Sequence, residues 1–163
     1  GAGKSTTGRR LAKILAVPFA DTDDLIERDA GRAVAEIFAE LGESGFRAAE
    51  CAVVVRALAD AAGVLSLGGG ALGNPDARAA VRRSGVPVVQ LRARLETLGQ
   101  RVGDARTRPL LADDPAVRLA VLAAERSATY EEVATFVIDT DGKTPGQVAA
   151  TVAARLHERE VRR

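Results

Sequence analysis

The sequence predicts an α/β domain, a three-layer sandwich in which a central parallel sheet is covered by helices on both faces. Short apolar runs such as Val64-Leu65-Ser66-Leu67 and Phe136-Val137-Ile138-Asp139 alternate with helical stretches along the chain. Parallel strands buried on both faces read as brief apolar runs of this kind. The length of 163 residues suits one domain, with no interdomain linker, repeat or low-complexity tract. Hydrophobic residues make up 47% and charged residues 28%, enough apolar material for a core and too much for a disordered chain.

The elements follow in order. Lys4 to Ala16 places Leu11, Ile14 and Leu15 at helical spacing and stops before Pro18. Pro18-Phe19-Ala20-Asp21 reads as a short strand running into a polar turn. Leu25 to Leu41 is helical and interrupted at Gly31, and Glu43 to Ala61 is the longest helix, stopped by Gly63. Val64 to Leu67 is a buried strand that ends on Gly68-Gly69-Gly70. Asn74-Pro75 opens a helix with a capping residue followed by proline at the first position. Val86 to Leu91 is the next strand, then Leu95 to Val102 a short helix. Gly103 to Pro115, polar with two prolines, reads as a mobile loop. Val117 to Thr129 is helical, Phe136 to Asp139 a strand, and Gln147 to Glu160 a closing helix.

Composition removes several chemistries. With 23 basic and 22 acidic residues the net charge is +1, no footprint for a general nucleic-acid or membrane-surface binder. One cysteine (Cys51) and one histidine (His157) rule out a disulfide framework and a Cys/His zinc site. No apolar run approaches the ~18 residues of a membrane span, and no signal peptide is visible, so a cytoplasmic domain is expected. Chemistry must come from carboxylates, arginines, a lysine, backbone amides or a bound metal. Twenty of the basic residues are Arg and only Lys4, Lys13 and Lys143 are Lys, so a lysine in a special place is the stronger signal.

Gly1-Ala2-Gly3-Lys4-Ser5-Thr6, followed at once by an amphipathic helix, has a mechanical meaning. The glycines let backbone N–H groups turn inward around phosphate oxygens, and the helix N-terminus adds its positive dipole end. Lys4 reaches β- and γ-phosphates and the Ser5 hydroxyl suits Mg²⁺. Such a loop is fed by an inner strand of the sheet, expected upstream of Gly1. Asp21-Thr22-Asp23 ends the next strand, where open α/β sheets bind ligands. Its two carboxylates, two residues apart, can serve different partners. Three glycines at Gly68-Gly69-Gly70 exceed what a turn requires and suggest close approach of a ligand to backbone.

These elements, with Gly42-Glu43, Phe46-Arg47, Glu50 and Arg108-Pro109-Leu110-Leu111 in the same order and spacing, resemble shikimate kinases over nearly the whole chain. The resemblance implies phosphate-loop kinase topology in a single domain, with a helical substrate-binding region over about 24–61 and a lid over about 103–115. It implies transfer of the γ-phosphoryl of ATP to the 3-hydroxyl of shikimate, in aromatic amino-acid biosynthesis. ATP would be held by Gly1, Ala2, Gly3, Lys4, Ser5, Thr6, Arg101, Arg108 and Lys143, the last standing where relatives often carry Arg. Shikimate would be held by Asp23, Arg47, Gly68, Gly69, Gly70 and Arg126; Arg is the side chain whose planar fork matches a carboxylate. Asp23 would accept from the attacking hydroxyl, Ser5 and Asp21 would hold Mg²⁺, and Lys4 and Arg108 would neutralise the transferring group. Glu50, three residues after Arg47, would hold its guanidinium on the same helix face. Arg106 is the rival for the lid position. Relatives suggest a monomer with no nucleic-acid or membrane partner. A gluconate-type kinase of small metabolites and a nucleotide-binding module without catalysis are the alternatives.

Overall fold

The computed structural model describes residues 2–60, 62–102 and 115–162. In chain order it contains α1 (Lys4–Leu15), β1 (Phe19–Asp21), α2 (Thr22–Ala30), α3 (Val34–Asp60) and β2 (Val64–Ser66). A 3₁₀ turn (Ala71–Gly73) leads to α4 (Pro75–Ser84), β3 (Val89–Arg92), α5 (Leu95–Val102), α6 (Pro115–Val133), β4 (Phe136–Asp139) and α7 (Pro145–Val161). The lid expected over 103–115, with Arg106 and Arg108, lies outside the described residues apart from Pro115, where α6 begins, and so does Gly1.

All strand pairing is parallel, as the alternation of elements predicts. β1 pairs with β2, setting Asp21 opposite Ser66, and β3 pairs with β4, setting Arg92 opposite Asp139. A parallel pair needs a long crossover; α2 and α3 supply the first, α5 and α6 the second. The two pairs are separate two-stranded sheets, yet both feed one apolar layer. Val64 of β2, Val89 and Leu91 of β3 and Ile138 of β4 pack with Leu11 of α1 and with Val148, Ala149 and Val152 of α7. A second cluster joins Val54 of α3 to Ala71, Leu72, Ala77 and Val81, with Tyr130 and Cys51 packed against it. A third seals α2 on α3 through Ile26, Ile37, Phe46 and Val53. Among the described residues no helix is long and apolar enough to cross a membrane.

Element boundaries have local causes. The long α3 is two helices meeting at Gly42, which sits at φ 67° and ψ −179°, where the sequence places a break between Leu41 and Glu43. α7 begins two residues earlier than the apolar spacing predicts. Thr144 and Gln147 form a reciprocal capping box there, with Pro145 at the first helical position. β3 begins at Val89 rather than Val86. Pro87 has no N–H for a ladder, and Val88 bonds instead to Thr135, whose hydroxyl accepts from Val88 N–H at 3.0 Å and whose N–H donates to the Val88 carbonyl at 2.7 Å.

Candidate active site

The ends of β1 and β2 and the start of α1 build the site. Gly3 stands at φ 84°, a left-handed conformation that glycine adopts without steric cost, and turns the chain straight into α1. Helices α2, α4 and α7 are capped by the side chains of Asp21, Asn74 and Thr144. The α1 terminus has no side-chain cap and no acidic residue in its first turn. Its first N–H groups and the positive dipole end therefore suit an anion, and Lys4, Ser5 and Thr6 lie on that turn. Ala2 lies half-buried just ahead of it.

Across from this terminus, the Ser5 hydroxyl donates to Asp21 at 2.6 Å. Asp21 is buried, and its second oxygen accepts the Asp23 N–H at 3.1 Å. One carboxylate thus caps α2 and meets the phosphate loop. Ser66, opposite Asp21 in the strand register, is buried with its hydroxyl unpaired among the described residues. No cluster of three or more His, Cys, Asp or Glu side chains able to hold a metal occurs among the described residues. The few hard oxygens present, from Ser5 and Asp21 with the unpartnered Ser66 hydroxyl at the same strand end, suit Mg²⁺, which keeps water and phosphate oxygens in most of its coordination positions.

Asp23 opens the other half of the site. Part of its surface faces solvent, but its carboxyl is crowded by protein and raised from 3.8 to about 6. Desolvation is the larger cause, followed by the charges of Asp21 and Glu50, while Lys4 pulls the other way. The Lys4 charge is therefore near enough to be felt at Asp23. Glu50 is 1% exposed and ion-paired with Arg47, as the three-residue spacing predicts, and Glu43 lies 3.8 Å from the same guanidinium. Burying a carboxylate in this way demands such a partner. In return Glu50 fixes the Arg47 guanidinium beside Gly70.

The glycine triplet is the wall that these side chains lean on. A Cβ at Gly68 would collide with Glu50 and come within 2.8 Å of Asp23 Oδ1. One at Gly69 would lie 3.2 Å from an Arg126 nitrogen, and one at Gly70 would run into the Arg47 guanidinium. Side chains thus approach the bare backbone closely, most tightly at Gly68 and Gly70, and this brings Asp23, Arg47, Glu50 and Arg126 to one surface. Two contacts there escape a reading of the sequence. The buried Thr22 hydroxyl accepts the Gly68 N–H at 2.7 Å, and the Tyr130 hydroxyl donates to the Gly69 carbonyl at 2.5 Å. The available signals were the position of Thr22 between the carboxylates of Asp21 and Asp23 and that of Tyr130, the only tyrosine, one helical turn after Arg126.

The structure brings together Lys4, Ser5, Asp21, Asp23, Arg47, Gly68, Gly69, Gly70 and Arg126. Lys143 follows β4 and donates to the Asp139 carbonyl at 2.9 Å. Arg101 belongs to the last turn of α5. The shikimate kinase family model matches residues 1–157. The chain is a member of the shikimate kinase family. Shikimate kinase of Mycobacterium marinum is 46% identical over 159 residues, covering 97% of this chain and 85% of that protein. That of Salinispora tropica is 47% identical over 156 residues, covering 96% and 92%. Among solved structures, shikimate kinase from Acinetobacter baumannii in complex with shikimate superposes with a TM-score of 0.93 at 34% identity, covering 97% of this chain and 88% of that one. The resemblance read from the motifs therefore holds across the chain, and with it the phosphate-loop kinase fold.

Proposed function

We propose that this member of the shikimate kinase family transfers the γ-phosphoryl group of ATP to the 3-hydroxyl of shikimate, forming shikimate 3-phosphate for aromatic amino-acid biosynthesis. The observation that supports it most directly is the convergence of Arg47 and Arg126 on the glycine triplet beside Asp23. Two guanidinium groups flanking bare backbone suit a small carboxylate, and a carboxyl across from them suits a hydroxyl. Arg47 and Arg126, with Gly68, Gly69 and Gly70, clamp the substrate carboxylate. Asp23 accepts the hydrogen bond of the attacking hydroxyl and orients it; in a loose phosphoryl-transfer transition state such positioning counts for more than proton abstraction. Ala2, Gly3, Lys4, Ser5 and Thr6, with Gly1, cradle the phosphates. Lys4 stabilises charge on the transferring group from beside Asp23. Ser5 and Asp21 would hold Mg²⁺, which would supply positive charge to the phosphates.

Arg101 and Lys143 serve the adenine side, and Arg108 closes over the phosphates from the 103–115 segment, with 24–61 as the substrate-binding region of a single kinase domain. These roles rest on the sequence motifs. A monomeric cytoplasmic enzyme is the setting we propose. The test is ADP release with MgATP, with and without shikimate, and with gluconate as control. Shikimate-dependent turnover is expected; ATP binding with no shikimate-dependent turnover, or turnover on gluconate instead, overturns the reading.

A further inference from the structure

The glycine triplet is unusual in how its peptides are satisfied. The Gly68 carbonyl accepts from Ala71 N–H at 3.1 Å, the Gly70 carbonyl from Gly73 N–H at 2.9 Å, and the Gly69 carbonyl from Tyr130. The Gly68 N–H is taken by Thr22. Among the described residues the N–H groups of Gly69 and Gly70 have no acceptor, and the two residues abut Arg126 and Arg47 respectively. In a trans peptide the N–H points opposite to the carbonyl. Fixing the Gly69 carbonyl toward Tyr130 therefore aims the Gly70 N–H away from α6. A peptide between two glycines otherwise rotates at little steric cost, so neighbouring backbone alone does not set this direction.

We propose that Tyr130 is a positioning residue for the substrate carboxylate: its hydroxyl locks the Gly69–Gly70 peptide and so turns the Gly70 N–H to the side away from α6, at the residue that abuts Arg47. The ring and the hydroxyl have separate duties. The ring packs against the cluster of Val54, Ala71 and Leu72, which phenylalanine would do equally well. The hydroxyl contributes nothing to that packing; it donates to the triplet and also interacts with the Arg126 guanidinium. Tyr130 also follows Arg126 by four residues, one turn of the same helix, so both act on the triplet from one face of α6. Desolvation pushes the phenol pKa up, with Arg126 opposing, so the hydroxyl stays a donor at neutral pH.

The inference rests on the reading of Arg47, Arg126 and the triplet as the carboxylate site. Its test is Tyr130→Phe, measured with shikimate and with the analogue in which a hydroxymethyl group replaces the carboxylate. Losing one aligned hydrogen bond predicts a shikimate KM and Kd raised about 5- to 30-fold. The ATP KM and the fold should be unchanged, and the Kd of the hydroxymethyl analogue should move little. An unchanged shikimate KM, or an equal penalty on both compounds, overturns the proposal, the second because a merely loosened structure weakens both alike. Arg47→Lys is measured beside it. No rise in shikimate KM there overturns the carboxylate site itself; a rise there without one in Tyr130→Phe overturns only the role of Tyr130.

Discussion

Arg47 joins a helix face, a buried carboxylate and a backbone wall, so its replacement is informative. Lys keeps the charge but loses the planar fork. Charge-assisted hydrogen bonds of ~1.5–3 kcal/mol predict that Arg47→Lys raises the shikimate KM roughly 10- to 100-fold, read from steady-state kinetics with ATP saturating. Asp23 offers a second test, through pH. Its folded pKa of about 6 exceeds the ordinary 3.8, so the folded protein binds this proton more tightly than the unfolded chain does. The stability supplied by that proton is fully present below pH 3.8 and is lost as the pH climbs through 6. Asp23→Asn mimics the protonated form. In the ligand-free protein it should melt higher than wild type at pH 7 to 8, and the advantage should vanish toward pH 4, while turnover falls. A melting difference independent of pH would remove Asp23 as the group responsible. The carboxylate proposed to orient the attacking hydroxyl is therefore held at a cost to stability.

At the scale of elements, much was legible because caps and breakers are local. Asn74-Pro75 starts α4, Gly42 divides α3, and Arg47 and Glu50 meet because three residues return to one helix face. What was not legible is contact between elements distant in sequence. Thr22 and Gly68 are 46 residues apart and Tyr130 and Gly69 are 61 apart; no periodicity signals either bond. The strand starting at Val89 escaped for a similar reason, since Val88 bonds to Thr135 across the sheet. The α7 cap gives a prediction free of the substrate. Thr144→Ala removes the hydroxyl that accepts the Gln147 N–H at 3.3 Å. At ~1 kcal/mol per cap, and about 2–4 °C per kcal/mol for a domain of this size, the melting temperature should drop by about 2–4 °C. Shikimate KM should stay as it is; a rise would tie the loop before α7 to the substrate side.

Over the whole molecule, ion pairs add little and ligands add much. Most ion pairs described here are exposed at both ends, Arg9 with Asp24 and Arg92 with Asp139 among them, and such pairs contribute ~0–1 kcal/mol each. The Arg47–Glu50 pair is the buried exception and belongs to the site. A ligand that binds only the folded state at 100 times its Kd adds ~2.7 kcal/mol. Saturating shikimate should accordingly raise the melting temperature by about 5–11 °C, and Arg47→Lys should need far more shikimate for the same shift. No shift in either protein would speak against the substrate site. The fold class and the convergence of loop, acidic turn and glycine triplet were legible in the order of motifs, because parallel strands deliver their ends to one edge. The triplet also has a consequence for inhibitor design. At Gly68 and Gly70 a side chain would have to displace Glu50, Asp23 or Arg47, and at Gly69 it would crowd Arg126. A compound that draws its affinity from the backbone of Gly68 to Gly70 therefore presses on positions where a substitution that dislodged it would also disturb the side chains proposed to bind substrate, which narrows the mutational routes to resistance through the triplet itself.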